Sequence, residues 1–350
     1  MRELMRVDAS DYDAFRAQLE TALRGTGPAI LPVTDDRVGL EAYVHDEVAL
    51  VIETSGSSGA PKQVGLSAQA LLASARASHG RLGGPGQWLL ALPLNYIAGV
   101  QVLIRSLDAD LEPVTLGHGP FTPEGFVRAA SQMSASRRYS SLVPAQLARL
   151  VEYAETSTAA RELLSSFDAL LIGGQSTPVQ LVNRANAVGM SVVTTYGSTE
   201  TAGGGDILAT EYVSAPSHSD PFTEVSGRRT YATGDLGRLV SGRLVIEGRA
   251  DRVLISGGIK VSLDAIESCV TQAQYPTSVA VAVENAEWGQ RPVLVVEGAG
   301  DVQSEQQLRA IVQEQLGKVA VPDRIVWVVD LPRLSSGKPD LVAISALASQ

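Results

Sequence analysis

The sequence predicts an α/β protein: a large N-terminal domain of mixed sheets and helices, residues 1–250, followed by a small α+β domain, residues 251–350. Three observations carry this. Between about residues 48 and 200, short apolar runs alternate with helical patterns, which argues for parallel strand–helix–strand units with helices on both faces of a sheet. From about Thr230 to Ile255, Gly234, Gly237, Gly242 and Gly248 punctuate short β-like runs such as 243–246, the mark of a small antiparallel element. Beyond it, about 100 residues carry their own helices and strands and form a credible separate domain.

The first buried strand is the apolar run 48–52. Thr54-Ser55-Gly56-Ser57-Ser58-Gly59-Ala60-Pro61-Lys62 follows it. Glycines let backbone N–H groups approach phosphate oxygens, hydroxyls donate further bonds, and the lysine adds a point charge. The spacing is not that of a Walker A loop; a plain Ser/Gly turn between strand and helix is the alternative. Further buried strands are expected over 89–92, 140–143, 169–172 and 192–195. Thr122-Pro123-Glu124 starts a helix with a threonine N-cap and proline at the first position. Thr177-Pro178-Val179-Gln180 starts another, with Gln180 placed for a capping box. In this architecture ligands sit beyond the carboxyl ends of the strands. The second domain should hold a helix over 263–273, strands over 278–284 and 292–297, a helix capped by Ser304 with Gln307 behind it, and a strand over 325–329. The polar loop Ser335-Ser336-Gly337-Lys338 then follows.

A net charge of −10 argues against a nucleic-acid-binding surface, and requires any polyanionic ligand to be held by local cations and backbone dipoles. The single cysteine, Cys269, allows no internal disulfide; it shares a helical face with Ile266, Val270 and Ala273 and reads as a core thiol. The four histidines lack metal-ligand spacing, so zinc is not expected. There is no G-x-S-x-G elbow. No apolar run approaches the ~20 residues of a membrane span, and the N-terminus has no signal-peptide core. A cytoplasmic enzyme, binding neither nucleic acid nor membrane, is the expectation.

Five separated segments, taken together, resemble the motif set of the adenylate-forming acyl/aryl-CoA synthetases, the family shared with luciferases and peptide-synthetase adenylation domains. They are the loop at 54–62, Thr195-Tyr196-Gly197-Ser198-Thr199-Glu200-Thr201, Tyr231-Ala232-Thr233-Gly234-Asp235-Leu236-Gly237, the stretch from Gly248 to Gly258, and Leu334-Ser335-Ser336-Gly337-Lys338-Pro339-Asp340. The resemblance implies a two-step reaction: a carboxylate attacks the α-phosphorus of MgATP to give an acyl-adenylate and pyrophosphate, then the CoA thiol displaces AMP. It assigns Lys338 to the substrate carboxylate and α-phosphate, and Glu200 to Mg²⁺. Thr54, Ser55, Gly56, Ser57, Ser58, Gly59 and Lys62 cradle the β- and γ-phosphates, and Thr199 touches the α-phosphate. Asp235 accepts the ribose hydroxyls with Arg249 as its partner. Tyr196 and Gly197 flank adenine on one side, and Gly173, Gly174 and Gln175 form the opposite wall. Asp251 is the hinge of a mobile C-terminal domain carrying the lysine, and Gly257, Gly258 and Lys260 face CoA.

Only 53 residues precede the loop, where family members carry a much longer stretch, so an N-terminally truncated first domain is expected, with dimerisation as one way to complete the acyl pocket. In this the chain resembles the short actinobacterial o-succinylbenzoate–CoA ligases of menaquinone biosynthesis. Leu92-Pro93-Leu94-Asn95-Tyr96-Ile97-Ala98-Gly99-Val100-Gln101 matches the family's acyl-site segment, with Asn95-Tyr96 where Phe-His is common. Arg105 follows inside an apolar run, and a cation there must find an anion or snorkel. It fits the second carboxylate of an aromatic dicarboxylic acid; pairing with a protein carboxylate such as Asp108, or exposure on a helix, are the other readings. Tyr96 and Gly203 complete the expected acid site, with Gly203-Gly204-Gly205 leaving room for a ring. Three rivals stay open: a ligase for another acid, an adenylation enzyme loading a carrier protein, and an inactive binding protein of this fold.

Overall fold

The computed structural model describes every residue except 35–38, 55–61, 118, 204–210, 213–221, 274, 276, 335–337 and 350. Ser55, Gly56, Ser57, Ser58, Gly59, Gly204 and Gly205 therefore lie outside the described residues. The chain divides into two compact units, Met1–Tyr231 and Ala232–Gln350. This division falls ahead of residue 250 because the hairpin 235–249 is tied into the second unit: the Arg249 N–H donates to Asp264 at 2.7 Å. Compactness alone does not locate a hinge.

The first unit opens with β1 (Arg2–Asp8), α1 (Tyr12–Arg24), β2 (Ala29–Val33), β3 (Gly39–Val44), β4 (Val48–Thr54), β5 (Lys62–Ser67) and α2 (Ala68–Arg81). Its first sheet is mixed, in the order β11-β5-β4-β2-β1-β3, where β11 is Glu211–Tyr212. The expected phosphate loop does not join a strand to a helix. It joins β4 to β5 as an antiparallel pair, with Thr54 opposite Lys62. Seven residues are too few for a parallel crossover, which needs about a dozen.

The parallel series begins one strand later: β6 (Gln87–Leu90), α3 (Ile97–Asp108), β7 (Val114–Thr115), α4 (Pro123–Ala130), β8 (Arg138–Leu142), α5 (Pro144–Thr156), α6 (Thr158–Ser165), β9 (Ala169–Ile172), α7 (Val179–Ala187) and β10 (Val192–Thr194). These five strands form one wholly parallel sheet, ordered β10-β9-β8-β6-β7. Alternate side chains enter two cores: Trp88, Leu90, Tyr139 and Leu171 pack toward α1, α2 and α3, while Leu89, Leu142, Leu170 and Ile172 pack toward α4 to α7. Helices on both faces are as the sequence predicts. Thr122 caps α4, accepting from Gly125 N–H at 3.0 Å. The cap expected at Thr177 does not form: Pro178 itself precedes α7 and no side chain caps it. Here φ of proline is fixed and the helix begins one residue later than read.

The first unit ends with β12 (Phe222–Val225) and β13 (Arg228–Tyr231), an antiparallel pair. In the second unit β14 (Asp235–Val240) pairs antiparallel with β15 (Arg243–Arg249), as expected of the glycine-punctuated stretch. There follow β16 (Val253–Ser256), β17 (Ile259–Ser262), α8 (Leu263–Gln272), β18 (Ser278–Asn285), β19 (Gly289–Glu297), α9 (Val302–Leu316), β20 (Arg324–Val328) and α10 (Leu341–Ala348). One sheet, β17-β16-β19-β18 with β20 beside β19, backs onto α8 and α9 through Leu254, Ile266, Cys269, Leu294, Leu308 and Val312. Cys269 is the buried thiol its helical face implies, and burial pushes it up. Asp301, not Ser304, caps α9; its carboxylate accepts from the Ser304 N–H at 2.8 Å and from its hydroxyl at 2.7 Å.

Candidate active site

The strand order of the parallel sheet reverses between β6 and β8, because α3 carries the chain from β6 to β7 on one face and α4 carries it back past β6 to β8 on the other. Ligands of such sheets bind at this reversal, beyond the carboxyl ends of the strands. The loop leaving β6 there is the segment 91–96. It is held to the neighbouring strand end by Gln146, whose Nε2 donates to the Ala91 carbonyl at 3.0 Å while its Oε1 accepts from the Val143 N–H at 3.0 Å. Tyr96 stands at the start of α3, half-buried, its carbonyl accepting from Gly99 and Val100. A side chain at Gly99 would meet the Pro93 carbonyl oxygen at 2.1 Å, so this loop closes on the helix only with glycine there.

The next two strand ends supply a paired feature. Gly173 follows β9, Tyr196 follows β10, and the strands pair with Thr194 opposite Ile172. Thr195 binds the Ile172 carbonyl through its N–H at 2.8 Å and its hydroxyl at 3.2 Å. Gly173 lies where a Cβ would strike the Thr195 hydroxyl at 2.4 Å, and Gly174 has φ +81°. The structure thus brings 173–175 and 196–197 side by side, with Gly174, Gln175, Tyr196 and Gly197 exposed.

Thr199 and Glu200 lie on the short helical turn Thr199–Thr201 that follows, both half-buried. The turn is self-bonded: Thr201 Oγ1 accepts from the Ser198 N–H at 2.9 Å, and the Gly203 N–H donates to the Ser198 carbonyl at 2.9 Å. Thr54 and Lys62 stand opposite each other where β4 and β5 meet the loop, with Lys62 exposed.

Arg105 is 6% exposed on α3. Exposure on the helix and pairing with Asp108 are both excluded. Asp108 is engaged elsewhere, accepting from Arg76 Nε at 3.0 Å and facing His79 Nδ1 at 3.5 Å. Among the described residues no carboxylate pairs with Arg105. Its buried Nε has no partner among them either, and its guanidinium carbon lies 4.8 Å over the Trp88 ring. Burial lowers it to about 10. A buried cation of this kind is stabilised by an anionic partner.

In the second unit Asp235 and Arg249 pair across β14 and β15, Arg249 Nη1 donating at 3.3 Å. Arg249 also grips Asp251 with two bonds of 2.8 Å, which hold the Asp251 carboxyl below the usual range. The expected ribose carboxylate and the expected hinge residue thus share one arginine. Gly257 and Gly258 have φ +55° and +81° and make the two-residue turn between β16 and β17, a geometry favouring glycine at both positions. Lys260 is exposed on β17. Lys338 is exposed, its carbonyl accepting from the Leu334 N–H at 2.8 Å, and Asp340 caps α10 just beyond it.

The sequence gives no role to two side chains in the first unit, Ser74 and Gln101, both buried and both donating to the carbonyl that ends the Thr199–Thr201 turn. A glutamine inside the apolar run Val100-Gln101-Val102-Leu103-Ile104 was the available signal.

Residues 10–242 match the model of the AMP-binding enzyme family, and residues 265–338 match that of the AMP-binding enzyme C-terminal domain. The chain belongs to the AMP-binding enzyme family. Among curated AMP-binding enzymes, a probable 2-succinylbenzoate–CoA ligase of Mycobacterium tuberculosis is 37% identical, with 93% of each chain covered. A 2-succinylbenzoate–CoA ligase of Salmonella typhimurium is 30% identical over 81% of this chain and 65% of its own length. Two solved structures share the fold. One is o-succinylbenzoate CoA synthetase of Bacillus subtilis with the acyl-adenylate intermediate OSB-AMP (TM-score 0.72, 22% identity, 93% of this chain and 79% of that one). The other is ATP-bound MatB of Rhodopseudomonas palustris (TM-score 0.73, 21% identity, 97% and 78%).

Proposed function

We propose that this AMP-binding enzyme is an o-succinylbenzoate–CoA ligase of menaquinone biosynthesis, working in the cytoplasm. The named relatives narrow the family to this reaction, and one observation in the structure carries the choice of acid: Arg105, a buried guanidinium on the acyl-site helix with no protein carboxylate among the described residues. o-Succinylbenzoate has two carboxylates. One is activated; the aromatic one would complete Arg105. Among the described residues no helix is long and apolar enough to cross a membrane.

In the first step the aliphatic carboxylate oxygen attacks the α-phosphorus of ATP, and the bond to the bridging oxygen of pyrophosphate breaks. In the second the CoA sulfur attacks the acyl carbonyl, the thiol proton passes to solvent, and AMP leaves. Lys338 would meet the negative charge on the attacking carboxylate and the α-phosphate, where a positioned cation lowers the barrier. Thr199 would donate to the same phosphate. Thr54, Lys62 and the loop between them would hold the β- and γ-phosphates until they depart. Tyr196 would stack on adenine against 173–175, and Asp235 would accept the ribose hydroxyls. Gly257, Gly258 and Lys260 would face CoA, with Asp251 as the pivot between the steps.

Glu200 fits a Mg²⁺ role: it is one half-buried carboxylate beside Thr199, and Mg²⁺ is held in nucleotide sites by one or two carboxylates, with phosphate oxygens and waters filling the shell. The described residues hold no cluster of three or more metal-binding side chains, so such an ion would take most of its ligands from the nucleotide. Bound there, it would neutralise phosphate charge.

The test is pyrophosphate release with MgATP across a panel of acids: o-succinylbenzoate, benzoate, succinate and a medium-chain fatty acid. The proposal expects o-succinylbenzoate to be preferred by at least tenfold in kcat/KM. Release with another acid would redirect the assignment, and release with none would remove it.

A further inference from the structure

The turn carrying Thr199 and Glu200 ends on Ala202, a non-glycine residue with φ +50° and ψ +30°. An L-residue holds this left-handed conformation at a cost, so the surrounding structure must impose it. Two side chains converge on its carbonyl oxygen. Gln101 Nε2 donates at 3.0 Å from α3, and Ser74 Oγ donates at 3.0 Å from α2. Gln101 is 1% exposed, Ser74 3% and Ala202 0%. The same Gln101 nitrogen reaches the Leu71 carbonyl at 3.4 Å, so one amide joins both helices to the turn.

Gln101 is an expensive residue at this place. Among the described residues its buried Oε1 has no partner, a loss that an apolar side chain of equal size would avoid. The side chain is therefore explained by what its nitrogen does. Its position adds to this. Gln101 lies one helical turn before Arg105, on the same face of α3. On this one face, α3 presents a cation for the acid and a donor for the nucleotide turn.

We propose that Gln101, assisted by Ser74, is a positioning residue for adenylate formation. It fixes Ala202 and thereby sets Thr199 and Glu200 against the phosphates, on the helix that also carries the acid-site arginine. This rests on the function proposed above.

The experiment measures pyrophosphate release at saturating MgATP and o-succinylbenzoate for Gln101→Met, Gln101→Glu, Glu200→Gln and the Gln101→Met/Glu200→Gln double variant. Methionine keeps the volume and loses the donor; the expected result is about a tenfold fall in kcat, the worth of one buried hydrogen bond, with the KM for the acid within about twofold. Glutamate sets a carboxylate against a carbonyl and should fall at least as far. Because Gln101 acts through the turn, Gln101→Met should cost little more once Glu200→Gln is present. Full activity in Gln101→Met, or losses that multiply in the double variant, would overturn the proposal. If Gln101→Met does not fold, Ser74→Ala addresses the same oxygen and must show the same dependence on Glu200. Wild-type protein that releases no pyrophosphate with any acid would instead remove the parent function; active wild type with independent losses removes only the role of Gln101.

Discussion

Replacing Arg105 should move stability and activity in opposite directions. In the free protein Arg105 is buried, lacks a carboxylate partner among the described residues, and is lowered from 12.5 to about 10 by burial. A drop of that size corresponds to about 3 kcal/mol of lost solvation. The contact with the Trp88 ring at 4.8 Å returns about 2 kcal/mol. Arg105→Met, which fills similar space with an apolar chain, should therefore stabilise the free protein by about 1 kcal/mol, and raise its Tm by about 2–4 °C. With o-succinylbenzoate present the balance reverses. Removing one partner of a buried charge pair costs about 3–5 kcal/mol, so kcat/KM should fall by roughly 10²–10⁴-fold. The assays are calorimetry of the ligand-free protein and pyrophosphate release. An acid lacking the aromatic carboxylate should be used equally poorly by both proteins. A variant that is less stable yet retains wild-type kcat/KM would refute the reasoning, since Arg105 would then be a structural cation.

Three further outcomes are expected. Gly99→Ala places a carbon 2.1 Å from the Pro93 oxygen; the loop 92–96 must move, with a loss of about 1–3 kcal/mol in unfolding free energy and a raised KM for the acid. His79 is lowered from its usual value, first by burial and further by Arg105, against an opposing pull from Asp108, whose other neighbour is Arg76. The unfolded chain therefore binds a proton more readily, so the contribution of neutral His79 is intact above about pH 6.5 and is lost as pH falls below it; His79→Gln should flatten that part of a denaturation-versus-pH curve. Lys338→Ala should cut adenylate formation at least a hundredfold while sparing thioester formation from supplied acyl-adenylate, as single-turnover kinetics would show.

Much of this was legible in the sequence, for reasons that differ by element. The strand Ala169–Ile172 matches its apolar run residue for residue, because a strand buried on both faces is apolar throughout. Thr122 was readable because threonine followed by proline has one strong local use. The pairing of β4 with β5 was not, since the loop's composition speaks of phosphate and not of direction. Ser304 was read as a cap because it can accept a bond; Asp301, three residues earlier, was better placed and took its N–H. The first 47 residues drew no strand reading, although β1 and β2 are both interior strands of the first sheet. In the site, Arg105 stood out as a charge in an apolar run, while Ser74 and Gln101 did not, because their role depends on a carbonyl about 100 or more residues away.

The central claim is that the acid is activated as an adenylate and then transferred to CoA, and the path of one oxygen tests it most directly. With o-succinylbenzoate labelled with ¹⁸O in its carboxylates, ATP, Mg²⁺ and CoA, the oxygen that attacks the α-phosphorus must leave with AMP. Mass spectrometry should find one ¹⁸O in AMP for each o-succinylbenzoyl-CoA formed. Unlabelled AMP beside the thioester, or label in free phosphate, would contradict the account.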